Sequence, residues 1–364
     1  MRAVVTAGGT GGHIYPALAI INKIKEEEPN SEFLYIGTHN RMEKDIIPEY
    51  KIRYIPIEVT GFKRKISPDN IKTLINFLKA RKDCKRIISE FNPDVVIGCG
   101  GYVTAPVIWA ASKLGKKTFI HEQNSVVGLS NKYLSKYADK IGVSFESTMD
   151  DFPKDKVILT GNPCSEKALK IPKVELDTFG LDKNKKTVLI VMGSLGSKTV
   201  NDKIMSFIEA FRNKDYQILF VTGNDYYEKI KNRILPSNVV IKPFIKDLSA
   251  VMKSIDLMVS RSGASTISEI TALGIPSIFI PSPYVTNNHQ YKNAMDLVDK
   301  KSAYLIEEEK LTKNSLIDLI DMLLTNEKKY NELKKNVSSL GIKNSSSIIY
   351  ESLKELIMND KRFF

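Results

Sequence analysis

The chain has 364 residues, 42% of them hydrophobic and 26% charged, enough for two globular domains of about 150 residues each. Its three cysteines, Cys84, Cys99 and Cys164, have no paired spacing, which excludes a disulfide framework or a structural zinc and fits a reducing cytosol. The net charge of +12 points to an acidic partner: a phosphate, a nucleic acid or an anionic membrane.

Met1-Arg2 leads straight into Ala3-Val4-Val5, without the long apolar core of a signal peptide. No window approaches the roughly 18 apolar residues of a membrane span, so any membrane contact is expected to be peripheral. Short β-branched runs then alternate with amphipathic stretches. Strands are expected at residues 3–6, 32–36, 95–98, 118–121, 140–143 and 157–160, and in a second series at 188–192, 217–222, 239–241, 257–260, 277–280 and 303–306. Helical periodicity fills residues 16–27, 71–89, 199–212, 266–273 and 288–298. Continuous apolar strands separated by helices imply parallel sheets covered on both faces. The strand-glycine-helix pattern restarts at Val188, after a Pro-containing stretch, 162–186, that reads as a linker.

The strongest local signal is Gly8-Gly9-Thr10-Gly11-Gly12-His13, between the first strand and a helix opening near Pro16. Such a turn lets backbone approach a ligand closely, and the N–H groups of the next helix favour a phosphate. It is neither a Walker loop nor Gly-x-Gly-x-x-Gly, and no acidic residue ends the second strand, which disfavours a dinucleotide cofactor. In the second half, Gly193-Ser194-Leu195-Gly196-Ser197 and Arg261-Ser262-Gly263-Ala264-Ser265-Thr266 each follow an apolar strand. Glu269, one turn into the helix after the latter, has the chemistry to accept two ribose hydroxyls; otherwise Ser265 is an ordinary N-cap and Glu269 a solvated helix residue. His121-Glu122-Gln123-Asn124 ends a strand where open α/β sheets bind ligands. The histidines His13, His39, His121 and His289 have no metal-ligand spacing, and Asp-x-Asp is absent.

Residues 61–86 stand apart, with Lys63, Arg64, Lys65, Lys72, Lys79, Arg81, Lys82, Lys85 and Arg86 against only Asp69 and Asp83. Ile71, Leu74, Ile75 and Leu78 recur at helical spacing beside Phe77. A basic amphipathic helix of this kind lies on an anionic bilayer, unless its apolar stripe faces its own sheet and its lysines are merely solvated.

Taken in order, Gly8 to Pro16, Gly100-Gly101-Tyr102, His121 to Asn124, Gly161-Asn162-Pro163 and Arg261 to Ala264 resemble the MurG family, the bacterial peptidoglycan N-acetylglucosaminyltransferases of glycosyltransferase family 28. The resemblance runs from the N-terminus to about Ala294. It implies a GT-B fold: two Rossmann-like, doubly wound parallel-sheet domains facing a central cleft, here 1–162 for acceptor and membrane and 163–344 for the UDP-sugar, with residues 345–364 a helix packing back on the first. It implies an inverting, metal-independent transfer of N-acetylglucosamine from UDP-N-acetylglucosamine to the C4 hydroxyl of the muramyl sugar of undecaprenyl-diphosphate-linked lipid I, giving lipid II. No cofactor and no nucleic acid are expected, but anionic lipids of the inner leaflet are. The enzyme would sit peripherally on the cytoplasmic face of the membrane.

By the same resemblance Ser194 contacts a donor phosphate, Ile245 the uracil, Ala264, Ser265 and Thr266 the diphosphate, Glu269 the ribose, and His289 and Gln290 the sugar hydroxyls. Asn124 reaches the donor sugar from the other half. Thr10, Gly11, Gly12 and His13 serve the acceptor diphosphate or the reacting hydroxyl, and Tyr102, His121 and Glu122 line the acceptor side. An inverting transfer needs a base near neutral pKa, which suits His13, with Glu122 as the alternative. Arg261 and helix N–H groups would carry the leaving diphosphate's charge. Two positions depart from the family: Ser165 stands where Arg is usual after Gly-Asn-Pro-Val, and Leu195 where Gln supplies a polar contact. A UDP-sugar 2-epimerase of the same fold and a nucleic-acid-binding protein are the competing readings. The first has no use for a basic amphipathic surface, and the second lacks a recognised RNA motif.

Overall fold

A computed structural model describes residues 1–61, 69–193 and 195–361, with side chains for 1–61, 73–193 and 195–358. The chain divides into two compact units, Met1–Ser165 with Asn344–Phe364, and Glu166–Lys343.

The first unit is built on strands β1 (Arg2–Thr6), β2 (Glu32–Thr38), β3 (Arg53–Ile57), β4 (Val95–Gly98), β5 (Lys117–Glu122), β6 (Lys140–Val143) and β7 (Val157–Leu159). They form one sheet in the order β3-β2-β1-β4-β5-β6-β7. Every pairing is parallel, with Val4 registered against Leu34 on one side and Val96 on the other. Alternate strand residues feed two cores, as sheet pleating demands. Val4, Leu34, Val96 and Ile120 meet the helices Asp69–Phe91 and Thr104–Lys113, whereas Ala3, Val5, Tyr35, Ile97 and Phe119 meet the helix Gly11–Glu27. The C-terminal helix Ser345–Lys361 joins that second core through Ile349, Tyr350 and Leu353. The Tyr350 hydroxyl donates to Glu28, which also receives the N-terminal ammonium.

The second unit repeats the plan with β8 (Thr187–Val191), β9 (Gln217–Val221), β10 (Val239–Lys242), β11 (Leu257–Ser260), β12 (Ser277–Phe279) and β13 (Tyr304–Leu305), all parallel, in the order β10-β9-β8-β11-β12-β13. Ile190, Ile218, Phe220 and Val259 pack against Val200, Ile204, Leu316 and Ile320 from the covering helices. In both sheets the strand order reverses beside the first strand of the unit, at β1/β4 and β8/β11. The loops leaving those strands border the crevice where such sheets take ligands.

Three elements differ from the expectation. β3 lacks a strand signature because Tyr-Ile-Pro carries a proline; as an edge strand pairing only with β2 it tolerates the missing N–H. The first helix begins at Gly11, inside the glycine motif, rather than near Pro16. The 162–186 stretch is packed rather than a linker: the helix Cys164–Lys170 opens it, Leu176 and Leu181 are buried, and Lys253 donates to the Leu169 and Ile171 carbonyls.

Leu353 is fully buried, so Leu353→Ala is expected to destabilise the first unit by about 2–5 kcal/mol through lost transfer energy and a cavity. Denaturant unfolding read by first-unit probes checks this.

Candidate functional site

In the first unit the loop after β1 is held by backbone. Gly9 has φ +94°, and Gly101 has φ +90°, with its Cα so close to Gly8 that a Cβ would lie 2.5 Å from the Gly8 carbonyl oxygen. The Gly8 N–H donates to the Gly100 carbonyl at 3.2 Å. The helix Gly11–Glu27 begins directly, with Thr10 exposed at its N-cap, and the first-turn N–H groups of Gly11 and Gly12 have no helical carbonyl behind them.

His13 turns its ring back over this loop. Nδ1 lies 3.0 Å from the Gly8 carbonyl oxygen, which only accepts, so neutral His13 carries its proton on Nδ1. Nε2 is left with its lone pair, beside the Gly100 Cα. Tyr102 stands 58% exposed with its ring over Gly61.

The residues that end β5 do something other than line a surface. His121 is fully buried; its Nε2 lies 2.9 Å from the Gly161 carbonyl, and Nδ1 receives the Gln123 amide at 3.1 Å. Burial pushes its pKa down to about 4, so it is a neutral strut between β5 and the turn after β7. Glu122 is 2% exposed, and its carboxylate accepts from the Asn124 N–H and side-chain amide, the Gly128 N–H and the Asn131 amide. Donors fill all its lone-pair directions. His121 and Glu122, expected to line the acceptor side with Glu122 as the alternative base, are both bonded within the first unit, where they order the loop that presents half-buried Asn124. Ser165 is buried as well, bonded to the Asn162 carbonyl and paired with the Ser345 hydroxyl where the C-terminal helix starts.

In the second unit, Gly193 (φ +82°) and Gly196 (φ +75°) close a tight turn after β8 with Leu195 at its tip, 90% exposed; Ser194 lies outside the described residues. Ser197 caps the following helix, Lys198–Ser206. After β11, Gly263 is the N-cap of the helix Ala264–Leu273, displacing Ser265 from that expected role. Ala264, Ser265 and Thr266 form its first turn, and the buried Ser265 hydroxyl has no hydrogen-bond partner among the described residues.

Arg261 is turned inward. Its guanidinium donates to the Ile280 carbonyl at 2.9 Å, the Ser197 hydroxyl at 2.8 Å and Glu308 at 2.5 Å. With these three bonds and 9% exposure, it braces the turns after β8 and β11 from beneath. Glu269 is half-buried and accepts from Ser249 at 3.1 Å. Burial raises its carboxyl to about 7, against the opposing pull of Ser249 and the Lys167 charge. Gln290 receives the Ser282 N–H on its side chain and the Ser262 hydroxyl on its carbonyl, while His289 donates Nδ1–H to the Thr286 carbonyl. Ile245 is half-buried in the loop between β10 and the helix Leu248–Met252. No cluster of His, Cys, Asp and Glu suited to a metal occurs among the described residues.

One participant escaped the sequence altogether. Glu43, in the short helix Glu43–Glu49, is fully buried beneath the first glycine loop, where it accepts from the Gly9 N–H at 3.1 Å and from the N–H and hydroxyl of Thr38. In sequence it is one charged residue among Arg-Met-Glu-Lys, with no signal of burial.

The chain matches the glycosyltransferase family 28 N-terminal domain over residues 3–143 and the family 28 C-terminal domain over 187–349. It is 49% identical over 362 residues, 98% of this chain and the whole of its relative, to UDP-N-acetylglucosamine--N-acetylmuramyl-(pentapeptide) pyrophosphoryl-undecaprenol N-acetylglucosamine transferase 1 of Bacillus cereus. Among solved structures it resembles MurG of Acinetobacter baumannii at TM-score 0.80 and 27% identity, covering 97% of this chain and 99% of that one. A UDP-GlcNAc 2-epimerase from Neisseria meningitidis, 18% identical over 98% of this chain and all of that one with TM-score 0.67, shares the fold alone. Two family 28 domains in series and near-half identity over its full length place this chain in glycosyltransferase family 28.

Proposed function

We propose that this hexosyltransferase moves N-acetylglucosamine from UDP-N-acetylglucosamine to the C4 hydroxyl of the muramyl sugar of undecaprenyl-diphosphate-linked lipid I, forming lipid II. The near-half identity to a transferase named for that donor and acceptor supports the substrates. The observation that carries the chemistry is His13, whose Nδ1–H is held by the Gly8 carbonyl so that Nε2 is the acceptor. The acceptor oxygen attacks the anomeric carbon as Nε2 takes its proton, the new C–O bond forms on the face opposite the departing UDP, and the bond to the β-phosphate breaks. The first turn of the helix Ala264–Leu273 receives the diphosphate on its N–H groups, which have no helical partners, and on the unpartnered Ser265 hydroxyl. Glu269 accepts the ribose hydroxyls when ionised.

The polyprenyl acceptor stays in a bilayer, and among the described residues no helix is long and apolar enough to cross one. The helix Asp69–Phe91 supports a peripheral docking face on the cytoplasmic leaflet. Its buried side is Ala80, Cys84, Ile87 and Ile88, leaving Leu74, Ile75 and Leu78 at 49%, 60% and 52% exposure beside exposed Lys79, Lys82 and Arg86. Arg81 leaves this set of lipid-facing cations: its guanidinium lies 3.1 Å from the centroid of the Trp109 ring, clamping the helix to its neighbour. Lys63, Arg64 and Lys65 lie outside the described residues.

His13→Ala is expected to lower turnover by about 10²–10⁴-fold with donor affinity retained, measured by labelled-sugar transfer to a lipid I analogue. Full activity would remove His13 from the mechanism. Because Glu269 sits near 7, its carboxylate form grows as pH rises, and UDP-N-acetylglucosamine affinity should climb about tenfold between roughly pH 6 and 8. Calorimetry should find Glu269→Gln weaker and flat across that range; a wild type already flat would return Glu269 to a solvated bystander. Replacing Lys79, Lys82 and Arg86 by Gln should weaken binding to anionic vesicles about 100-fold at low salt while sparing transfer to a short-chain acceptor. Undiminished sedimentation with vesicles would place the docking surface elsewhere.

A further inference from the structure

Glu43 and His13 hold opposite edges of one peptide group. The unit joining Gly8 to Gly9 presents its carbonyl to His13 Nδ1 at 3.0 Å and its N–H to Glu43 Oε2 at 3.1 Å. No cis peptide bond occurs among the described residues, so carbonyl and N–H point in opposite directions within the peptide plane and the carboxylate and the imidazole meet opposite edges of it. A carboxylate bonded to an amide N–H draws the proton toward itself and enriches the carbonyl oxygen in charge, as chains of hydrogen bonds polarise one another in a low dielectric. The enriched oxygen is a better acceptor for Nδ1–H and a better partner for an imidazolium.

We infer that Glu43 is a positioning residue acting on His13 through the Gly8–Gly9 peptide, fixing its tautomer and supporting the positive charge it gains when Nε2 takes the acceptor proton. This rests on the reading of His13 as the base. It differs from a carboxylate–imidazole pair in having a peptide between the two, so a charge is supplied to the base without placing a carboxylate beside an anionic diphosphate.

The surroundings fit a fixed charge. Glu43 is fully buried, and no Lys or Arg pairs with it among the described residues. Its contacts are donors: the Gly9 and Thr38 N–H groups and the Thr38 hydroxyl. A Cβ on Gly8 would fall 2.7 Å from Oε1, so a larger residue there would push the loop or the carboxylate aside. Tyr54 from β3 donates to the Thr38 carbonyl and Tyr35 from β2 donates to the Ala7 carbonyl, fixing both ends of the network. The titratable groups that face it stay neutral near pH 7. Burial and the Glu43 charge push the Tyr35 and Tyr54 hydroxyls up, Asp45 adding to the latter, and burial pushes the Cys99 thiol up. No charged side chain among the described residues bonds the His13 ring, which leaves Glu43 as the charge coupled to it.

The test is Glu43→Gln, which keeps an acceptor for Gly9 and removes the charge, together with Thr38→Val, which keeps the charge and removes one donor that neutralises it. Ring-nitrogen NMR of the four histidines in the full chain gives the His13 tautomer and midpoint without recourse to activity. The wild type should show Nδ1–H. In Glu43→Gln the midpoint, and the acidic limb of kcat/KM with it, should move down by about half a pH unit or more, with kcat falling about tenfold. That is well short of the ~10⁴ lost when a directly bonded carboxylate partner is neutralised. Thr38→Val should move the midpoint the other way. An Nε2–H tautomer in the wild type overturns the inference, as does an unmoved midpoint in either variant that melts like wild type, so failure of one variant to fold leaves the other to decide. A His13→Ala enzyme with full activity would instead overturn the reading of His13 as base, while the coupling itself would still be read in the midpoints.

Discussion

The N-terminal site depends on two loops touching through bare backbone. Gly8 and Gly101 approach so closely that any side chain on either would strike the opposite loop or the carboxylate beneath it, and the contact is what puts the Gly8 carbonyl under His13. A parallel sheet makes this possible, because β1 and β4 are neighbours that send their chains out in the same direction at the point where strand order reverses. The contact has a cost in buried polar groups, and the first unit meets it with a dense set of internal hydrogen bonds: Tyr35, Tyr54 and His121 bond backbone carbonyls, and the Glu43 and Glu122 carboxylates accept from backbone N–H groups.

The second unit solves the same problem with a charge pair. Its glycine turn packs on the Thr222 carbonyl, and Arg261 ties the turn's helix cap to Glu308 and the end of β12. Breaking a buried pair by removing one partner typically costs about 3–5 kcal/mol, because the other charge is stranded. A brace of this kind is stiff, and it fixes the backbone N–H groups that open the helix Ala264–Leu273, which have no side-chain freedom with which to adapt. In each unit, then, several polar residues next to the glycine turns build the platform on which those turns rest.

The helix Asp69–Phe91 shows a comparable division of labour. Its inner face is small and apolar, Ala80, Cys84 and Ile88, which lets it lie close on the sheet and the helix Thr104–Lys113. Its outer face combines apolar and basic side chains, and Arg81 at the border is committed to Trp109. The helix thus has one face packed inside the fold and one exposed face that mixes apolar and basic side chains.

The strand count to within one, the parallel class, the restart at Val188 and the three glycine turns were all legible in the residues, because burial on both faces writes continuous apolar runs and tight turns write glycine. So were His13 and Glu269 as candidates, since their chemistry is carried by residue type and by position at a helix start. β3 was illegible because an edge strand can hold a proline. Which polar residues turn inward emerges only from the folded chain. His121, Glu122 and Arg261 sit at strand ends, where polar residues commonly meet ligand, and each bonds carbonyls, amides or a buried partner within its own unit. Glu43 is the converse: it reads as a solvated helix charge, and becomes an internal acceptor only because the Gly9 N–H and Thr38, 34 and five residues away in sequence, are brought onto it. Hydrogen-bond satisfaction is a property of the assembled neighbourhood, and a sequence lists the donors and acceptors without saying which will meet.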